Sequence, residues 1–281
     1  MGKIKHTLIS YFSAFILVIV YGIYGTLIMS LIMHLKKYQV ESSETAAIIV
    51  NAVISVTVVG ILLIAKGSFG RITLKSFLQG IGLYALPMLI FLIFHFVEAI
   101  VWIFGENKNI YPDNINEIFT ISLIYYISVA VTEEIVFRTA ILNVLFKKRS
   151  LEKREVVVGC IYSGGLFGFI HIMNIFTDTK SDMQAKIFTI LLACFIGFIF
   201  SVLYLKTQNI LVTIALHFVW DFTSFWNGMM IREKFRYSGE YNFLIRQIFI
   251  IILMTIITIF LLYKSKSKDL TLCLKGEEKS I

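Results

Sequence analysis

Between Lys186 and Lys206 the chain reads IFTILLACFIGFIFSVLYL, an uninterrupted apolar run without a single charge. Such a run admits few structures. It forms either a helix buried on all sides or a helix crossing the roughly 30 Å hydrocarbon core of a bilayer, which takes about 20 residues. The rest of the chain decides between them. Comparable runs recur along 281 residues, 58% of them hydrophobic and 16% charged, with a mean hydropathy of +0.82. A water-soluble chain of that composition would lack the polar residues to cover its own core.

Eight segments are long enough to cross, at about 8–33, 46–65, 77–104, 118–146, 156–175, 186–205, 208–227 and 244–263. They are continuous rather than alternating, which predicts helices and not a barrel. The expected fold is an all-α, polytopic bundle forming one integral membrane domain over 1–281, with the active site inside it. The fourth segment is long for one crossing, which predicts tilt or a break near Thr132. Lys and Arg are concentrated at the amino terminus, around 66–75, in KKRSLEKR at 147–154 and in the tail 264–281. That bias places both termini, and a basic tail over 264–281, in the cytoplasm. The net charge of +8 is accounted for by inner-leaflet loops facing anionic lipid, so no nucleic-acid partner is implied. The first apolar run is too long for a cleavable leader. Of the three cysteines, Cys160 and Cys194 fall in spanning segments, which argues against a disulfide framework.

Ionisable side chains cost at least a few kcal/mol each at the bilayer centre, so those that remain there mark function. The fourth segment carries VAVTEEIVFRTA at 129–140. Glu134 and Arg138 are four apart with the acid first, the better order for an intrahelical ion pair. Glu133 is rotated about 100° away and is poorly placed to share that arginine. The spacing therefore divides the trio into a mutually neutralising pair and a carboxylate left for chemistry, suited to a general base. The fifth segment reads YSGGLFGFIHIMN, where Gly164 and Gly168 permit close helix approach and Phe167 shares a face with His171. In the seventh segment His217 and Asp221 share a face. Each motif alone has a bland explanation: a packing salt bridge, a core histidine, an intrahelical hydrogen bond. Together they supply converging groups able to activate a water and stabilise an oxyanion. His95 and Glu98 read as a local interfacial hydrogen bond, and Trp102, Trp220 and Trp226 as interfacial anchors.

Glu133-Glu134-x-x-x-Arg138, Phe167-x-x-x-His171 and His217-x-x-x-Asp221, in that order on apolar segments, resemble the CPBP family of intramembrane proteases. That family comprises type II CAAX prenyl endopeptidases and bacterial Abi relatives linked to bacteriocin processing and self-immunity. The resemblance covers roughly 117–225. It implies that Glu133 and His171 polarise the attacking water, that Glu134 and Arg138 support them, that His217 and Asp221 bind the oxyanion, and that Phe167 packs beneath the histidine helix. Many relatives carry Asn where Asp221 stands. An aspartate donates only when protonated, so Asp221 is open to a second role, orienting His217.

No H-E-x-x-H occurs, so a zinc site would have to be assembled from His171, His217 and Glu133 on separate helices. The expectation is an endopeptidase without a cofactor, zinc being the alternative. Its substrate is expected to be a membrane-associated or lipidated peptide. The Ile-, Phe- and Lys-rich composition looks bacterial, so the expected location is a bacterial cell membrane. Two other functions use the same residues. One is a non-proteolytic scaffold or regulator, as in bacteriocin immunity or signalling; the other is a proton-coupled transporter, against which the lack of inverted repeats counts.

Overall fold

The computed structural model describes residues 2–36, 43–64, 72–104, 115–146, 152–173, 175, 183–231 and 238–265. Among these no strand occurs. The helices are α1 (Gly2–Lys36), α2 (Ser43–Ile64), α3 (Leu74–Phe104), α4 (Ile115–Glu134), α5 (Leu142–Phe146), α6 (Lys153–Ile170), α7 (Met183–Thr207), α8 (Ile210–Ile231) and α9 (Ser238–Lys264). A π-helical stretch, Ile135–Ile141, joins α4 to α5, and a 3₁₀ turn, His171–Met173, follows α6. The fold class is all-α, as the apolar runs predict.

All eight expected segments fall on helices, yet fewer of them qualify as crossings. Among the described residues three stretches are long and apolar enough: Leu8–Ile28, Phe119–Phe146 and Lys186–Thr207. A fourth is added if the two halves of α3, Leu74–Tyr84 and Leu86–Phe94, count as one span bent by 63°. Pro87 lies inside α3, where its missing N–H and its ring break the hydrogen-bond ladder. Ile48–Ile61, Ile210–Ser224 and Ile248–Lys264 are apolar but shorter. The expected break near Thr132 is displaced: α4 runs through Thr132 and the irregularity begins at Ile135. The basic loop at 147–151 and the tail beyond 265 lie outside the described residues, as do the side chains of His95, Glu98, Trp102 and Trp226.

The outward faces are apolar. Leu8, Phe12 and Leu27 on α1, and Ile252, Ile256 and Ile259 on α9, are each more than half exposed. A surface of that kind matches lipid tails and not water, as expected of a membrane protein. The inward faces form two buried clusters. One joins α1, α2, the π stretch, α5 and α6; the other joins α3, α8 and α9. Helix α7 feeds both, with Ala193, Val202 and Tyr204 in the first and Ile196, Phe200 and Leu203 in the second. Its remaining side, with Leu191 and Phe195 about half exposed, is apolar too, the character of a helix that meets lipid where it does not meet protein. Trp220 is part of this interior: it is buried and stacks on Phe91 at 4.5 Å between ring centroids, 4° from parallel. The interfacial anchoring expected of it does not occur, since its helix turns that face toward α3.

A seam without side chains fastens α6 to α7. A Cβ added at Gly164 would sit 2.6 Å from the Cys194 carbonyl oxygen and 2.6 Å from the Phe198 nitrogen, both backbone atoms. At Gly168 it would strike the Cys194 sulfur, and at Gly197 it would sit 2.9 Å from the Gly164 Cα. These glycines let two helices meet at backbone distance, the small-residue packing that substitutes for a hydrophobic drive within lipid. Gly165, next in sequence, has nothing within 4 Å of such a Cβ. Gly164→Ala is therefore expected to lower stability by about 1–3 kcal/mol through overpacking, while Gly165→Ala stays within about 0.5 kcal/mol. Thermal unfolding of the detergent-solubilised protein compares the two.

Candidate active site

Residues 135–141 form a wider turn than the α-helix on either side, and local side chains take up the displaced carbonyls. The Thr139 hydroxyl donates to the Ile135 carbonyl, and the Asn143 amide donates to the Thr139 carbonyl at 2.6 Å. A π stretch is a common device at functional sites, because it re-aims side chains without ending the helix. Just before it, α4 is tied to α2. Asn51 donates to Ser128 at 3.1 Å, and Ser55 and Thr132 share a hydrogen bond at 2.8 Å. Thr132 also donates to the Asn51 carbonyl at 3.0 Å. Glu133 and Glu134 therefore stand at the point where a fastened helix changes its pitch.

The ion pair expected from the four-residue spacing is present. Arg138 Nη2 donates to Glu134 Oε1 at 3.2 Å, and Nε lies 3.0 Å from Oε2 in an off-axis contact. Both side chains are fully buried. The guanidinium is seated among aromatic rings, 5.1 Å from the Phe167 centroid and 5.9 Å from those of Phe137 and Phe200. Those faces stabilise a cation that water cannot reach.

His217 is the centre of the cluster. Its Nδ1 lies 2.9 Å from Glu134 Oε1 and its Nε2 lies 3.2 Å from Asp221 Oδ2. Glu133 Oε2 stands 3.7 Å from the same Nε2. A carboxylate accepts and does not donate, so only the ring bearing protons on both nitrogens satisfies Glu134 and Asp221 together. The charges then count simply. With all three ionised, the carboxylates of Glu133, Glu134 and Asp221 face two cations, Arg138 and His217, leaving one unit of negative charge. Glu134 is committed on both sides, and Asp221 is committed to His217. Glu133, whose nearest charged partner is the 3.7 Å contact, holds the remainder. Exposure agrees: Glu134 and Arg138 are at 0%, Glu133 at 15% and Asp221 at 29%. The open edge of the cluster is the Glu133–Asp221 edge.

His171 occupies the end of α6. Its Nδ1 lies 2.9 Å from the Phe167 carbonyl oxygen, which can only accept. Nδ1 therefore carries a proton, and in the neutral ring the lone pair falls at Nε2. Glu133 and His171 lie within electrostatic range of each other. Phe167 packs beneath both histidines, 5.1 Å from the His171 ring and 5.7 Å from the His217 ring. The bundle thus brings Glu133, Glu134, Arg138, Phe167, His171, His217 and Asp221 to one locus. Three further participants escape motif reading. Phe137 and Phe200 seat the arginine, and Thr213, one turn before His217 on α8, also reaches Glu134. Only Thr213 carries a sequence signal, its four-residue spacing from His217.

Both nitrogens of His217 are directed at carboxylates, and among the described residues no three His, Cys, Asp or Glu side chains are grouped to hold a metal ion. Arg138→Met would leave Glu134 buried against His217 alone, with an expected stability loss of about 3–5 kcal/mol. Arg138→Lys should lose less, keeping the charge but not the planar fork or the ring stacking. Folded yield and thermal unfolding in detergent measure both.

Residues 115–223 match the family model described as Type II CAAX prenyl endopeptidase Rce1-like. No curated protein and no solved structure gives a significant match. The matched segment begins with α4, ends two residues beyond Asp221, and contains all seven residues of the cluster. It supports an intramembrane endopeptidase in general. The stretch from 115 to 223 is therefore similar to the Rce1-like type II CAAX prenyl endopeptidases, in keeping with the CPBP/CAAX protease family that the three motifs resemble.

Proposed function

We propose that this protein is an intramembrane endopeptidase that hydrolyses a peptide bond of a membrane-associated or lipidated peptide with a glutamate-activated water. The observation that carries this is the charge count around His217, which leaves Glu133 as the one carboxylate with neither a short ion pair nor full burial. Glu133 takes a proton from water while the lone pair at His171 Nε2 helps orient it. The water oxygen bonds to the scissile carbonyl carbon, and the carbonyl π electrons move to oxygen. When the resulting tetrahedral oxyanion collapses, the C–N bond breaks, and the proton held by Glu133 passes to the departing amine. The products are a carboxylic acid and an amine, which become carboxylate and ammonium by passing the remaining water proton from one to the other, and no other reactant is consumed.

His217, positively charged, favours the negative intermediate from beneath. Asp221, 3.2 Å from its Nε2, orients and neutralises that ring and has no need to donate a hydrogen bond. The reaction as written uses no metal. Open at the Glu133–Asp221 edge and surrounded by apolar helices, the site suits a substrate delivered along the bilayer, and a bacterial signalling or bacteriocin-related peptide fits that route. The eight apolar segments of the chain are compatible with a multi-pass protein having both termini in the cytoplasm.

Glu133→Gln removes the base with almost no change in shape. Cleavage should fall by about 10²–10⁴-fold while folded yield is kept. Comparing the peptides of host membranes carrying wild type or Glu133→Gln identifies the substrate and tests the base together; equal cleavage by both would reject the mechanism. Cleavage by the purified protein should also survive 1,10-phenanthroline, and loss of activity restored by zinc would reject the metal-free route.

A further inference from the structure

An oxyanion is stabilised by donors aimed at it, yet both N–H groups of His217 are directed at carboxylates, and Asp221, Glu133 and Glu134 are acceptors when ionised. His171 Nδ1–H is spent on the Phe167 carbonyl. The donors left uncommitted in the cluster are Nε and Nη1 of Arg138, and that side chain is fully buried beneath aromatic rings, away from the open edge.

Helix α1, outside the matched segment, supplies another. Tyr11, Ala14, Val18, Tyr21 and Gly25 fall at spacings of three and four, on one face. That face is turned inward. The Tyr11 carbonyl accepts from the Tyr162 hydroxyl at 2.9 Å, and Ala14 and Val18 are buried in the first cluster. The place beside Gly25 is filled by Ile54, 3.5 Å from where a Cβ would sit. Tyr21 lies between these points, half-buried, its ring set edge-on to Phe137 at 6.3 Å and 89°. Phe137 in turn meets Phe167 edge-on at 5.0 Å, so the chain of rings leads from α1 to the floor beneath the histidines. The Tyr21 hydroxyl is within electrostatic range of the Glu133 carboxylate and of Tyr125. Its neighbours on α1 and α6 have partners for their hydroxyls: Tyr24 shares a hydrogen bond with Thr57 at 3.3 Å, and Tyr162 uses the Tyr11 carbonyl. Among the described residues the Tyr21 hydroxyl has none.

We propose that Tyr21 is a further residue of the active site, its hydroxyl donating a hydrogen bond to the oxyanion formed when water adds to the scissile carbonyl. This rests on the protease reading above. It makes the site a joint product of the family segment and the amino-terminal helix. A phenol suits that role because it is a neutral donor, stays protonated near neutral pH, and is held by its ring and not by a flexible stem.

The test uses the full chain in proteoliposomes and a synthetic peptide spanning the cleavage site found in the membrane-peptide comparison. Tyr21→Phe keeps the ring contact with Phe137 and removes only the donor. It should lower kcat by about 10²–10³-fold, the usual loss for one oxyanion donor, with KM and the unfolding temperature close to wild type. Tyr24→Phe, which cuts the bond to Thr57 away from the cluster, should retain kcat. Tyr21→Phe with wild-type kcat beside an inactive Glu133→Gln would overturn the role of Tyr21 and leave the protease reading standing. Wild-type cleavage by Glu133→Gln would overturn both. Loss of folded protein in Tyr21→Phe, or a rise in KM with kcat unchanged, would show a structural or binding role and also overturn the proposal.

Discussion

A guanidinium buried in a lipid-facing bundle is the constraint around which the rest of the interior is arranged. Arg138 can be kept there only because Glu134 meets it within one helical turn and three aromatic rings surround its plane. Removing either ion from water costs several kcal/mol, recovered only when the partner geometry is good and the remaining polar atoms are satisfied. Glu134 meets that condition only in part: its Oε1 accepts from Arg138 and His217 at once, while its Oε2 and Nε and Nη1 of Arg138 have no hydrogen-bond partner. The pair therefore fixes more than its own helix. It draws α8 against the π stretch through His217, whose Nδ1 shares Glu134 Oε1 with the guanidinium.

From that constraint the asymmetry between two adjacent glutamates follows. Glu134 is fully buried and doubly engaged. Glu133, one residue earlier and turned toward the open edge, is partly exposed and has only a distant contact to His217. The same residue type thus receives opposite environments from a rotation of about 100°. The π stretch adjoining the pair and the hydrogen bonds from α2 hold that rotation in place. A helix free to slide or rewind would mix the two environments and lose the charge separation on which the proposed hydrolysis depends.

The glycine seam acts on the other half of the site. His171 is the residue at which α6 passes into a 3₁₀ turn, and its ring caps the helix end by bonding the Phe167 carbonyl. The position of that end relative to His217 depends on how closely α6 approaches α7, which Gly164 and Gly168 set at backbone distance. Phe167 lies between the glycines and below both imidazoles. Packing and chemistry therefore share the same few turns of helix, and a change in the seam reaches the site through Phe167.

The sequence alone determined what depends on local spacing and composition. Apolar runs announced helices suited to lipid, four-residue spacing announced the Glu134–Arg138 pair and the shared face of His217 and Asp221, and ordered motifs announced the family resemblance that the match at 115–223 repeats. Those properties lie within one helix or in bulk transfer energetics, so no tertiary information was needed. Tertiary structure decided the rest. Trp220 turned out to be interior because α3 covers its face, and the irregularity of the fourth segment moved from Thr132 to the π stretch because Thr139 and Asn143 take up its carbonyls. Among the described residues three stretches, or four with the bent halves of α3, are long and apolar enough to cross, and apolar length alone does not reveal where a proline bends a helix. The aromatic seat of Arg138, the two-sided engagement of His217 and the approach of Tyr21 to Glu133 all join residues far apart in the chain, and contacts of that kind are set by how helices pack, which leaves no periodic signature in a single sequence.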